Sequence, residues 1–137
     1  MKTVILALLL LGESAPKESI ELVSPGQLRT KGLGGIAMMF SDESYGGSVA
    51  DGRILVSTNS RVFKRAERGD RDSLVMLASL VKHEETHIKL GNCEAEPYRI
   101  QLRVYDELGG LDNDYRKVIV DQIKQVASYP CISEAAH

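Results

Sequence analysis

The chain has 137 residues, 43% of them hydrophobic, and a formal net charge of −2. That is enough for one domain with one modest core and too little for several. With a pI near 5.9 there is no basic footprint of the kind that binds nucleic acid; the basic cluster Arg61, Lys64, Arg65, Arg68 and Arg71 is interleaved with acids and reads as a solvated face.

The first residues, MKTVILALLLLGESAPKES, have the order of a secretory signal peptide. Lys2 precedes an uninterrupted apolar run from Val4 to Leu11, and small residues follow at Gly12, Ser14 and Ala15. The expected cut follows Ser14, giving a signal peptide over 1–14 and a single domain over 15–137. The run is far short of the ~20 residues that a spanning helix needs. The expected product is therefore exported, periplasmic or secreted, with no stable membrane insertion after cleavage. The competing reading is a buried N-terminal strand or helix.

Further along, SIELVS reads as a strand ended by Pro25 and Gly26. The stretch GLGGIAMMF, ending at Phe40, reads as a buried strand, DESYGGSVADG as a loop, and RILVSTN as a second strand. SRVFKRAER reads as a short helix ended by Gly69. Asp70 or Asp72 can cap the next helix, and SLVMLASLVKHEETHIKL then runs without glycine or proline to Gly91. A second long helix is expected from about Glu94 to Leu108, stopped by Gly109 and Gly110. A third runs from Asp112 to about Ser128, its stripe of Tyr115, Val118, Ile119, Ile123 and Val126 facing the core. The fold class is α+β: a short N-terminal sheet followed by helices.

Cys93 and Cys131 are an even pair in a chain expected to reach an oxidising compartment. A bridge between them would close a loop of about forty residues, worth ~4 kcal/mol in the chain-entropy picture. The alternative is two free buried thiols.

The stretch HEETH, inside the longest helix, carries the chemistry. His83 and His87 lie one turn apart on the same face, where two imidazoles can hold one Zn²⁺. Glu84 lies ~100° round from His83, beside the metal, as in the H-E-x-x-H arrangement of zinc hydrolases. Glu85 should face away. Catalytic zinc usually takes three protein ligands and leaves one position for water. A third histidine six residues after His87 is excluded, since Cys93 stands there. Cys93, with its expected disulfide, and the terminal His137 are less suited. Glu94 and Glu96 open the next helix, and a chain folding back at Gly91 would bring that first turn to the histidines. With zinc in place, water becomes the nucleophile and Glu84 the general base.

HEETH followed by NCEAEPYRIQ resembles the gluzincin metallopeptidases, in which a glutamate on a second helix completes the zinc set. The likeness is closest to the small single-domain minigluzincins, whose second helix reads roughly E-x-x-A-Y-x-x-Q. The resemblance covers about residues 33 to 110, including GRILVST as the strand before the zinc helix. It implies a zincin-like domain, one Zn²⁺ per chain held by His83, His87 and Glu94, Glu84 as catalytic base, and hydrolysis of peptide bonds. Tyr98 and Gln101 would follow Glu94 on the same helix face. Pro97 departs from the pattern. Proline suits the first helical position, which would make Glu96 the cap and keep Glu96 open as the ligand. The aspartate that thermolysin-like enzymes carry four residues after the ligand is Tyr98 here, so the partner that orients a ligating histidine must come from elsewhere. The expected substrate is a peptide or protein in extended conformation, paired with RILVST as an added strand. Two other readings are a zinc-binding domain without hydrolytic activity and a zinc amidase acting on a non-protein substrate.

Overall fold

A computed structural model describes residues 1–13, 19–129 and 131. Among them the fold is α+β. In chain order the elements are α1 (Lys2–Leu9), β1 (Ile20–Val23), α2 (Pro25–Thr30), α3 (Gly34–Phe40), β2 (Gly47–Ala50), β3 (Arg53–Ser57), α4 (Arg61–Glu67), α5 (Arg71–Leu90), α6 (Ala95–Glu107) and α7 (Asn113–Val126).

Strand β3 is central. It pairs parallel with β1 and antiparallel with β2. Both of its edges are therefore taken, and the expectation that RILVST would accept an added peptide strand is corrected: the sheet edge next to α5 is that of β2. β2 itself was expected to be loop. It is a hairpin arm, with Ala50 opposite Arg53 across a two-residue turn. Asp51 and Gly52 both have positive φ, 52° and 72°, which is the Asp-Gly turn whose twist suits a hairpin. Residues Gly34–Phe40 form a helix rather than the expected strand. Ala37 and Phe40, three apart, point inward, while Met38 is 77% exposed; a buried strand would have hidden both faces. Just before it, Pro25 starts a helix as well as ending a strand: Ser24 and Gln27 form a capping box around it.

The main core lies between α1, α4, α5 and β3. Val4, Ala7 and Leu8 of α1 are fully buried against Ile54, Val56, Leu77, Ala78 and Val81. The apolar run read as a signal peptide thus packs as a core helix in this structure, and the expected cut after Ser14 falls outside the described residues. Beyond α1, Glu13 meets Lys82 of α5 at 2.5 Å, and Lys82 also meets Glu85 at 3.1 Å. Glu85 does face away from the histidines. Among the described residues no helix is long and apolar enough to cross a membrane.

Helix α6 folds back along α5, and α7 packs on α6. A latch fixes this corner. Tyr105, fully buried, donates to Asp72 Oδ2 at 2.9 Å and accepts from the Asp112 backbone at 2.7 Å. The other Asp72 oxygen accepts from the Leu111 backbone at 2.7 Å. The cap of α5 is Asp70, which accepts from the Ser73 backbone at 3.0 Å, leaving Asp72 for the latch. The α7 stripe is core only in part. Ile119 is buried, but Val118 is 59% exposed. Cys93, one residue before Glu94, is bonded to Cys131 with an S–S distance of 2.10 Å.

Candidate metal centre

Helix α5 brings His83 and His87 to one face, their ring centroids 4.9 Å apart. It ends at Gly91, whose φ of 79° is one that glycine adopts without strain. That turn does two things. It reverses the chain so that α6 begins beside the histidines, and it aims the Gly91 carbonyl at His87 Nδ1, 2.8 Å away. A carbonyl only accepts, so Nδ1 carries a proton and Nε2 is the His87 atom that faces the site.

Glu94 is the N-cap residue of α6, yet its side chain makes no capping hydrogen bond. It turns back to the imidazoles instead. Its carboxylate oxygens lie 3.0 Å from His87 Nε2 and 3.5 Å from His83 Nε2. Glu96, the competing ligand, pairs with Arg99 at 3.5 Å. Pro97 does not shift the helix start to Glu96. It sits third in α6, where a backbone N–H has no partner within the helix and proline is tolerated. Cys93 is held in its disulfide, and His137 lies outside the described residues.

Glu84 is 6% exposed, its Oε1 3.8 Å from His83 Nε2. Burial pushes its carboxyl above the usual range, His83 and His87 pull it down, and Glu94 adds to the rise. The hydrogen bond with Glu94 raises His87 to about 9 against burial. Burial also works against Glu94, but its hydrogen bonds from His83 and His87 bring it to about 2. Glu94 and the His87 imidazole thus stabilise each other's charged forms.

These donors fit a metal ion. One ligand atom each from His83, Glu84 and His87 lie within 4.8 Å of one another, close enough to share an ion. For bonds of ~2.0–2.1 Å in a tetrahedron, neighbouring donors should sit ~3.3 Å apart. Glu94 offers one oxygen to each ring, Oε1 at 3.0 Å from His87 Nε2 and Oε2 at 3.5 Å from His83 Nε2, near that separation, whereas Glu84 Oε1 stands 3.8 Å from His83 Nε2.

His83 is oriented by a residue that the sequence put on the right face without assigning it a role. Its Nδ1 lies 2.8 Å from Gln101 Oε1, and Gln101 Nε2 lies 2.9 Å from the Tyr115 hydroxyl. Gln101 follows Glu94 by seven residues, two turns along α6, which is the available sequence clue. Tyr115 comes from α7, where the apolar stripe alone implies a core role. Of the two tyrosines of α6, Tyr98 packs edge-on against His83, centroids 4.7 Å apart, while Tyr105 is in the latch.

A cleft of about 820 Å³ runs over this group, between the segment from Ser44 to Val49 and α7. Gly46 and Gly47 let that segment lie close to α5. A Cβ at Gly46 would stand 2.6 Å from Leu80 Cδ2, and one at Gly47 3.2 Å from the Leu55 carbonyl oxygen. Comparison with protein-family models, with curated proteins and with solved structures gives no match, so the reading of the site rests on its own geometry.

Proposed function

We propose that the chain is a small zinc-dependent peptidase of gluzincin type, exported, and active on peptides or proteins in extended conformation. The observation that carries this reading is the convergence of His83 Nε2, His87 Nε2 and the Glu94 carboxylate beneath an open cleft, with the buried Glu84 carboxylate beside them. Three N/O donors with an open side match the set that holds catalytic rather than structural zinc. Zinc held there supplies Lewis acidity for the scissile carbonyl and lowers the pKa of water to ~7. Glu84 takes the proton of the attacking water and delivers it to the leaving amine. Gln101 and the Gly91 carbonyl keep the two rings in place. The edge of β2, backed by α5, offers main-chain groups to an extended substrate.

A domain that only stores zinc has no use for Glu84. Burying a carboxylate costs several kcal/mol, and the Oε1 of this one stands 3.8 Å from His83 Nε2. The Cys93–Cys131 bond supports export, since such bonds persist in oxidising compartments.

The test is Glu84→Gln, which keeps size and hydrogen bonding but removes the base. Zinc content and folding should stay intact, and cleavage of an unstructured protein such as casein should fall by about 10²–10⁴-fold. A chelator should abolish the wild-type activity and added zinc restore it. Equal inactivity of wild type and variant on a broad peptide library, with zinc bound in both, would favour the binding domain.

A further inference from the structure

Resting on the reading of His83 as a metal ligand, we propose that Ser79 and Tyr115 are positioning residues which, acting through Gln101, set the tautomer of His83 and keep its Nε2 lone pair turned on the site. The protons can be counted along one chain of contacts. Ser79 Oγ lies 2.6 Å from the Met76 carbonyl oxygen, 3.2 Å from the Tyr115 hydroxyl, and the chain continues through Gln101 to His83 Nδ1 at 2.9 and 2.8 Å. Ser79 is fully buried and Gln101 is 7% exposed.

A carbonyl can only accept, and a hydroxyl has one proton to give. Ser79 therefore spends its proton on Met76, and must accept from Tyr115. Tyr115, its own proton used, must accept from Gln101, which puts the amide nitrogen of Gln101 toward Tyr115. The amide oxygen then faces His83, and His83 must carry its proton on Nδ1. The Met76 carbonyl thus settles the direction of every bond above it. A neutral imidazole in water favours the other tautomer, with the proton on Nε2. In that form Nε2 has no lone pair for a metal. The backbone of α5 thus decides, through α7 and α6, which nitrogen of a residue two turns further along the same helix can bind.

His87 provides the internal control. Its Nδ1 faces the Gly91 carbonyl directly, with no relay to disturb. If Ser79 is replaced by Ala, Tyr115 loses its acceptor. It can then turn its proton to Gln101, whose amide flips and donates to His83 Nδ1. A second substitution should reverse this. In Ser79→Ala/Gln101→Glu the carboxylate can only accept, so it takes protons from both Tyr115 and His83 Nδ1.

Without metal the Glu94 carboxylate faces His83 Nε2 at 3.5 Å and itself draws a proton there, so the relay is read in a Glu94→Ala background. Heteronuclear NMR of isotope-labelled histidine in that metal-free protein, in alkaline buffer, reads the tautomers directly, and His83 should be protonated on Nδ1. Adding Ser79→Ala should move that proton to Nε2 and leave His87 unchanged; with Glu94 present, Ser79→Ala should weaken zinc binding in chelator competition by about 10–100-fold, the range for a lost outer partner. The double variant should return the proton to Nδ1, which a mere packing role for Ser79 does not predict. Should Ser79→Ala fail to fold, Tyr115→Phe serves instead and should give a mixture at His83. Protonation on Nε2 in the Glu94→Ala parent, or a proton that stays on Nδ1 when either Ser79→Ala or Tyr115→Phe is added to it, would overturn the proposal. A protein with the tautomer response but no affinity for zinc would leave the relay standing and remove the peptidase reading; zinc binding with an unresponsive tautomer would do the reverse.

Discussion

On one side of α5, Leu77, Ala78 and Val81 are fully buried against α1, α4 and β3. On the other, His83 and Glu84 are almost as deeply buried, each 6% exposed, against α6 and the strand β2. The first side makes contacts that have no direction, and its stabilisation follows the apolar area removed from water. On the second, three groups have a directed partner, Gln101 for His83, Gly91 for His87 and the two rings for Glu94, while the Glu84 carboxylate stands 3.8 Å from His83 Nε2. Equal burial therefore has two meanings. The apolar side holds the domain together and is indifferent to which atom meets which. The polar side carries the proposed chemistry, and an error of one proton or one rotamer there matters.

The comparison can be broken from either side. Leu77→Ala should give the largest loss of stability, about 2–5 kcal/mol from lost burial plus a cavity. Zinc stoichiometry, measured below the new melting temperature, should not change. Glu94→Ala should do the opposite. Zinc affinity should drop by more than the about 10–100-fold expected for an outer partner, while the chelated protein melts close to the chelated wild type. Gly110→Ala probes the corner that aligns the two sides. An added Cβ would stand 2.2 Å from the Tyr105 ring, and overpacking of this kind costs about 1–3 kcal/mol, readable by denaturant titration. The smallest effect is expected for Glu96→Ala. Its partner Arg99 is exposed, so both stability, within about 0.5 kcal/mol, and zinc affinity should hold. A larger zinc defect in Glu96→Ala than in Glu94→Ala would reverse the assignment of the third donor.

How far the sequence could be read depended on how local each feature is. Helix α5 was legible because its cap at Asp70, its unbroken run and its stop at Gly91 all lie within the segment. The spacing of His83, Glu84 and His87 is a property of that one helix. The Cys93–Cys131 pair needed only parity. Strand β2 was missed because Gly47 to Ala50 lacks bulky branched residues apart from Val49. Its strand character comes from pairing with β3, and the Asp51-Gly52 turn was the signal passed over. Helix α3 was misread because a short apolar run has no period to distinguish helix from strand. The roles of Gln101 and Tyr115 were not legible as roles, since they depend on how three helices meet. Glu94 could be preferred over Glu96 only by resemblance. In the fold the difference is that Pro97 is accommodated within the first turn of α6.

Elemental analysis of the purified protein after dialysis, beside His87→Ala, tests the metal centre most directly. Near one equivalent of zinc is expected in the wild type and none in the variant, with both folded. A wild type that folds fully, retains the Cys93–Cys131 bond, and binds no zinc when zinc is offered would contradict that expectation.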